Sequence, residues 1–123
     1  MSLYSETLLD HFSNPRNVGE LEPPAVRAEV TNPVCGDILR LSALFESASV
    51  SEVRYKARGC TASIAAGSAL TELMRGKTAA ELGRLTAADV ERAVGGLNPA
   101  SRHAAALCVD ALRALLKTAA QAG

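Results

Sequence analysis

The sequence predicts an α+β fold in which a small three-stranded antiparallel sheet packs against several helices. Three observations lead to this prediction. Apolar and polar residues alternate in three short segments between residues 25 and 57. After Gly59 the apolar residues take the spacing of helices instead. The links between the alternating segments are short, which favours an antiparallel meander.

The elements of the amino-terminal half follow from these patterns. A first helix is predicted over Tyr4–Phe12, where apolar residues recur at helical spacing, and Asn14-Pro15 ends it. The three strands are predicted over Ala25–Thr31, Ile38–Phe45 and Ser49–Ala57. In each strand one face is apolar and the other is polar, so one face of the sheet should be buried.

Helices are predicted for the rest of the chain. A mostly apolar helix is expected over Thr61–Met74, with Gly76 just beyond its end. Two polar pairs have the spacing of a capping box and should open two short helices. These pairs are Thr78 with Glu81 and Thr86 with Asp89. The last helix is predicted to begin at Asn98-Pro99, with Asn98 as its cap, and to run to about Ala120.

The composition excludes several classes of protein. The 123 residues carry 13 basic and 13 acidic side chains, so the chain has no net charge. A neutral domain lacks the basic surface on which nucleic-acid binding depends. No apolar run has the length of a membrane span, and the amino terminus lacks the pattern of a signal peptide. We therefore expect one domain over residues 1–123, located in the cytoplasm, that binds neither nucleic acid nor a membrane.

The chain has three cysteines, Cys35, Cys60 and Cys108. Their odd number, without a secretion signal, argues against a disulfide framework. They are far apart in sequence and form no CxxC pair, so the fold would have to assemble any site that they share. Judged by number alone, three separate buried thiols remain the simpler interpretation.

Two of these cysteines lie where the chain can present them to a ligand. Cys35 lies in a tight turn between the first two strands, and Asp37 follows it by two residues. Cys60 ends the third strand and opens a helix, where free N–H groups favour the thiolate form of a cysteine. With His103 of the last helix, these residues would offer two thiolates, a carboxylate and an imidazole. Such a set suits Zn(II) or a partly formed iron–sulfur site. Taken alone, His103 is more often a structural histidine and Cys60 is weak evidence for a site, whereas the string around Cys35 is specific.

The strings around these residues resemble the U-type iron–sulfur cluster assembly scaffolds, the family of IscU, the amino-terminal domain of NifU, and SufU. The resemblance runs nearly end to end and implies a small antiparallel sheet packed by helices. It is carried by Tyr4-Ser5-Glu6, Asp10-His11-Phe12, Asn14-Pro15-Arg16-Asn17-Val18-Gly19, Asn32-Pro33-Val34-Cys35-Gly36-Asp37, Arg58-Gly59-Cys60 with Ser63, Ala65-Ala66 and Ser68, and Gly76-Lys77.

The resemblance also implies a function. A scaffold of this family accepts sulfur from a cysteine desulfurase, binds iron, holds a cluster transiently and passes it to acceptor apo-proteins. Cys35, Asp37, Cys60 and His103 fall on the family's site positions, so they are the expected ligands, with Cys35 and Cys60 as candidate sulfur acceptors. Zn(II) can occupy the same site. The scaffold is not an enzyme, because its partner desulfurase mobilises the sulfur.

The chain departs from the family pattern after the histidine. IscU- and NifU-type members have a third cysteine there, whereas this chain has Ala104. Cys108, four residues later, lies on the apolar stripe of the helix with Ala111 and Leu115, which indicates a core position. In the alternative register, which resembles SufU-type members, Cys108 is the third site cysteine and His103 has no role.

A second departure concerns a partner. IscU-type members carry a Leu-Pro-Pro-Val-Lys string that a specialised chaperone reads. This chain has Leu97-Asn98-Pro99-Ala100-Ser101 at that place, so one proline and the charge are missing. The basis for chaperone docking is therefore weakened.

Three functional hypotheses follow from the sequence. The first is a scaffold for iron–sulfur cluster assembly. The second is a SufU-like module that holds zinc permanently and accepts sulfur without building a cluster. The third is a thiol enzyme that uses Cys60 and His103, for which the sequence contains no supporting motif.

Overall fold

The computed structural model describes residues 4–122. The helices and strands are α1 (Glu6–Ser13), β1 (Val26–Thr31), β2 (Ile38–Glu46), β3 (Ser49–Arg58), α2 (Thr61–Met74), α3 (Ala79–Leu82), α4 (Ala87–Ala93), a 3₁₀ turn (Pro99–Ser101) and α5 (His103–Ala122). The strands form one sheet in the order β1-β2-β3, and both neighbouring pairs are antiparallel. The predicted α+β fold is therefore confirmed.

One face of the sheet carries the hydrophobic core. Leu39, Leu41 and Ala43 of β2 are buried there together with Val53 and Tyr55 of β3, as the alternating pattern predicted. Helices α2 and α5 pack on this face. Helix α2 begins just after β3 ends, and β2 begins at the same end of the sheet, since Ile38 pairs with Arg58. Helix α5 also begins there, because its first residue, His103, contacts Cys60.

A buried polar cluster fixes α1 against α2. His11 Nδ1 lies 2.8 Å from the hydroxyl oxygen of Ser68, and the backbone N–H of Arg16 donates to the same oxygen at 2.9 Å. Burial, together with the nearby Arg16 guanidinium, lowers the pKa of His11, so the imidazole is neutral at pH 7. These contacts anchor the turn-rich segment after α1 to the helix that carries Cys60.

Two helix starts differ from the prediction. Ser5 accepts a hydrogen bond from the backbone N–H of Leu8 and caps α1, so Tyr4 precedes the helix.

The last helix does not begin at Asn98-Pro99. The chain first makes a 3₁₀ turn, in which the N–H of Ser101 donates to the carbonyl of Asn98, and the Asn98 side chain makes no capping hydrogen bond. Such turns commonly precede α-helices, and here this turn makes His103 the first residue of α5.

The other helix predictions agree with the structure. Helix α2 has the predicted bounds, and both capping boxes form, at Thr78 with Glu81 and at Thr86 with Asp89. Within residues 4–122, no helix combines the length and the apolar character needed to cross a membrane.

Gly67 allows α2 to lie close to the sheet, and its substitution should reduce stability. A Cβ at this position would lie 2.6 Å from two ring carbons of Tyr55 and 3.3 Å from a methyl carbon of Leu39. We expect Gly67→Ala to lower the free energy of unfolding by about 1–3 kcal/mol, because overpacking a core forces side chains out of their preferred positions. Urea unfolding measures this loss.

The matched control for this prediction is Gly83→Ala. A Cβ at Gly83 would meet only backbone oxygens at 3.5 Å, an ordinary contact distance. This substitution should change the free energy of unfolding by less than about 0.5 kcal/mol. Equal losses in the two variants would contradict a specific role for the contact between Gly67 and Tyr55.

Candidate metal centre

Side chains from three parts of the chain meet at one end of the sheet. The Cys35 sulfur, a carboxylate oxygen of Asp37 and a ring nitrogen of His103 all lie within 4.8 Å of one another. Cys60 lies beside them, with its sulfur 3.5 Å from His103 Nε2. Three of the four residues that the sequence singled out as ligands therefore form one group, and Cys60 borders this group through its contact with His103.

The turn between β1 and β2 presents Cys35 to solvent. The Asn32 side chain accepts hydrogen bonds from the backbone N–H groups of Val34, at 2.9 Å, and Cys35, at 3.4 Å. The backbone of Asn32 also bonds to Gly36 and Asp37, each at 2.8 Å. Gly36 takes a φ of +78°, which few other residues adopt. The turn is thus closed on itself, and the Cys35 thiol lies exposed at its surface.

Asp37 is the buried acidic member of the site. Its side chain is buried, with the residue 6% exposed, and the Ser63 hydroxyl donates to Asp37 Oδ2 at 2.7 Å. Burial raises the pKa of this carboxyl, but hydrogen bonds from Ser63 and Cys60 outweigh burial and hold the pKa below its ordinary value. Asp37 is therefore a carboxylate at neutral pH, the form that ligates metals.

His103 directs one ring nitrogen into the site. Its Nδ1 lies 3.1 Å from the carbonyl oxygen of Ala100. Because a carbonyl can only accept, Nδ1 carries the proton, and the lone pair of a neutral imidazole is then on Nε2. Nε2 lies 3.4 Å from Asp37 Oδ2 and 3.5 Å from the Cys60 sulfur. Fixing a histidine through its second nitrogen is the usual way in which proteins orient a metal ligand.

Gly59 provides the space that Asp37 occupies. Its φ is +145°, and a Cβ at this position would lie 2.3 Å from Asp37 Oδ1. Any other residue at position 59 would therefore displace the carboxylate.

Sequence reasoning had not assigned roles to Gly59, Ser63 or the Ala100 carbonyl. Ser63 contacts both Asp37 and the Cys60 sulfur, the latter at 3.4 Å. Its position three residues after Cys60 places both on one face of α2, and this spacing could have revealed it. The roles of Gly59 and Ala100 depend on contacts between distant segments, which no local pattern reveals.

Cys108 does not reach this site. It lies in the hydrophobic core with 1% exposure, and burial raises the pKa of its thiol to about 12. The thiol therefore stays protonated at neutral pH, and thiols bind metals as thiolates. Ala104, which follows His103, is fully buried as well. The structure thus agrees with the register in which Cys108 is a core residue.

The assembled donor set contains two sulfurs, one imidazole nitrogen and one carboxylate oxygen. Nitrogen and sulfur donors of this kind suit Zn(II) and iron–sulfur centres, whereas Mg²⁺ and Ca²⁺ prefer oxygen donors. Four donors also match the coordination number of structural zinc. The residues present therefore fit a thiophilic metal or cluster.

Comparison with known proteins points to one family. The profile of the NifU-like N terminal domain family matches residues 3–121. The iron-sulfur cluster assembly scaffold protein IscU 1 of Archaeoglobus fulgidus is 39% identical over 111 residues, covering 90% of this chain and 72% of that protein. The scaffold protein IscU of Aquifex aeolicus is 38% identical over 116 residues, covering 93% of this chain and 74% of that protein.

Solved structures share the fold. The crystal structure of the amino-terminal part of a NifU-like protein from Brucella abortus superposes with a TM-score of 0.66 and covers 97% of this chain and 93% of that one. At 21% identity, this likeness concerns the fold alone. The profile match and the curated relatives both span nearly the whole sequence, and so this chain belongs to the family of NifU-like N-terminal domains.

Proposed function

We propose that this chain is a single scaffold domain, residues 1–123, on which an iron–sulfur cluster is assembled and from which it is passed to acceptor apo-proteins. The observation that carries the proposal is the convergence of Cys35, Asp37, Cys60 and His103 at one end of the sheet. Family membership and the scaffold function named for the relatives support it. The cluster is cargo, not a resident cofactor.

Each proposed ligand has a distinct part in holding the cargo. Cys35 and Cys60 supply thiolates, the donors that bind iron–sulfur centres most strongly. His103 adds Nε2, because the contact of Nδ1 with the Ala100 carbonyl turns the other ring nitrogen toward the site. Asp37 adds a carboxylate, a weaker ligand for such centres than a thiolate. A mixed set of this kind holds iron during assembly and still releases the finished cluster.

Sulfur would reach the site from a partner cysteine desulfurase. Cys35 is exposed on its turn and Cys60 is half-buried, so Cys35 is the more accessible of the two candidate acceptors. The Cys35 thiolate would attack the outer sulfur of a persulfide on the partner. A new sulfur–sulfur bond forms on Cys35, and the partner's cysteine leaves as a thiolate.

This chain receives the sulfur and turns over no substrate, so it acts as a carrier and not as an enzyme. Dependence on free thiols also supports a cytoplasmic location.

Zinc is the alternative occupant of the same residues. The four donors match the ligand number of structural zinc, which favours the hypothesis of a zinc-holding sulfur acceptor.

The contact between Cys60 and His103 by itself would fit a thiol enzyme. Because Asp37 and Cys35 also lie within reach of His103, metal binding accounts for more of the site than a thiol–imidazole pair does.

Anaerobic reconstitution with iron and sulfide tests the proposed cargo directly. We expect the wild-type protein to develop visible absorption with near-stoichiometric iron and labile sulfide. The variant Cys35→Ala/Cys60→Ala should stay colourless, because it lacks both thiolates. A wild-type protein that remains colourless and retains zinc would instead support the zinc-holding module.

Zinc affinity in four single variants tests the ligand set. Cys35→Ala and Cys60→Ala should each lower the affinity by more than about 100-fold, since changing residues that only orient a ligand already costs 10–100-fold. His103→Ala should weaken binding to a smaller extent. Cys108→Ala should leave the affinity unchanged and lower the free energy of unfolding by about 1 kcal/mol, as small core truncations do. If Cys108→Ala loses zinc as completely as Cys60→Ala while His103→Ala keeps it, Cys108 is the third site cysteine.

Gly59→Ala tests whether the position of Asp37 matters for metal binding. The added methyl group would occupy the place of the Asp37 carboxylate, so we expect a loss in zinc affinity of about 10–100-fold. Gly36→Ala is the matched control, because Gly36 also has a positive φ, but its Cβ would meet nothing within 4 Å. Competition with a chromogenic chelator measures both affinities. A comparable loss in the two variants would show that backbone strain, and not displacement of Asp37, weakens the site.

A further inference from the structure

The outer face of the sheet carries a group of cations next to the metal centre. Arg40 of β2 and Lys56 and Arg58 of β3 are exposed and line a shallow depression of about 290 Å³, together with Ile38 and Ala57. Arg40 lies opposite Lys56 in the antiparallel register, and Ile38 lies opposite Arg58. We call Arg40, Lys56 and Arg58 the cationic face.

Two of these cations have no counter-ion among residues 4–122. Arg40 bonds to Glu29 and lies 3.9 Å from Glu20, so its charge is largely balanced. Among the ion pairs and side-chain hydrogen bonds of residues 4–122, none engages the side chain of Lys56 or Arg58. The chain as a whole is neutral, so this face is a local excess of positive charge that can attract an anionic partner.

The cationic face borders the metal centre. Arg58 is the last residue of β3 and stands two residues before Cys60, while Ile38 directly follows Asp37. A partner seated on Lys56 and Arg58 would therefore lie at the edge of the group formed by Cys35, Asp37, Cys60 and His103.

We propose that the cationic face docks an extended acidic segment of a partner protein. Lys56 and Arg58 are two residues apart on one strand, so their side chains emerge from the same face about 6.6 Å apart. Alternate residues of an extended peptide have the same spacing, so carboxylates at every second position can meet both cations. The half-buried Ile38, which lies opposite Arg58 in the register, offers apolar contact beside them.

The surroundings favour a protein segment over nucleic acid. Because Glu20 and Glu29 balance Arg40, the excess positive charge is confined to two side chains, whereas nucleic-acid binding relies on a longer basic surface. No aromatic side chain lines the depression, so bases would find no surface on which to stack. The inference concerns a surface outside the ligand set, and it does not depend on which metal or cluster the site holds.

Fluorescence anisotropy with a labelled octapeptide of alternating glutamate and serine tests the proposal on the full chain. We expect saturable binding at about 50 mM salt that weakens as salt is raised, because exposed charges are screened. The same peptide with glutamine in place of glutamate should not bind. Lys56→Gln/Arg58→Gln should lower the affinity about tenfold, and Lys56→Gln alone should lower it less.

The matched control removes one lysine and one arginine elsewhere. Arg113 and Lys117 are exposed on α5, and Arg113→Gln/Lys117→Gln changes the net charge by the same amount. This variant should bind the acidic peptide as wild type does.

Four results would overturn the proposal. The first two are the absence of saturable binding and an equal loss of affinity in the control variant. The third is tighter binding of a single-stranded oligonucleotide with the same number of charges, which would assign the face to nucleic acid. The fourth is full displacement of the peptide by inorganic phosphate at a similar concentration of charge, which would assign it to a free anion.

Discussion

The close packing of α2 on β3 is the contact on which the metal centre depends. The ring of Tyr55 lies where a side chain at position 67 would otherwise be, and the Tyr55 hydroxyl donates to the carbonyl of Ile64 at 2.7 Å. Strand and helix are joined through Gly59, so holding α2 close to β3 also fixes where α2 begins. Cys60 and Ser63 are thereby held against Asp37.

The electrostatics of the site follow from that packing. A buried carboxylate without partners would tend to be neutral, because burial disfavours the charged form. Here Ser63 and Cys60 supply hydrogen bonds that keep Asp37 ionised, and Asp37 in turn lies beside Nε2 of His103. The protein therefore keeps an oxygen donor and a nitrogen donor ready beside two thiols, a combination suited to binding a thiophilic cargo that has to leave again.

A net charge of zero conceals an uneven distribution of charge. Several surface cations of the described residues form ion pairs, as Arg16 does with Asp10 and Arg27 with Glu22. Such exposed pairs contribute little to stability. Lys56 and Arg58 form no ion pair within the described part of the chain and lie on a strand next to the site, where they can set the orientation of a partner without altering the fold.

The sequence by itself determined the fold class, the bounds of α2, the strand faces and the identity of the four candidate ligands, because each depends on local periodicity, turn chemistry or a motif. Only the tertiary structure decided that Gly59 makes room for Asp37, that Ala100 orients His103 and that Cys108 is confined to the core. The tertiary structure also decided that α5 starts at His103. These features arise from contacts or backbone geometry that become defined only when the helices pack against the sheet, and the order of residues along the chain does not specify such contacts locally.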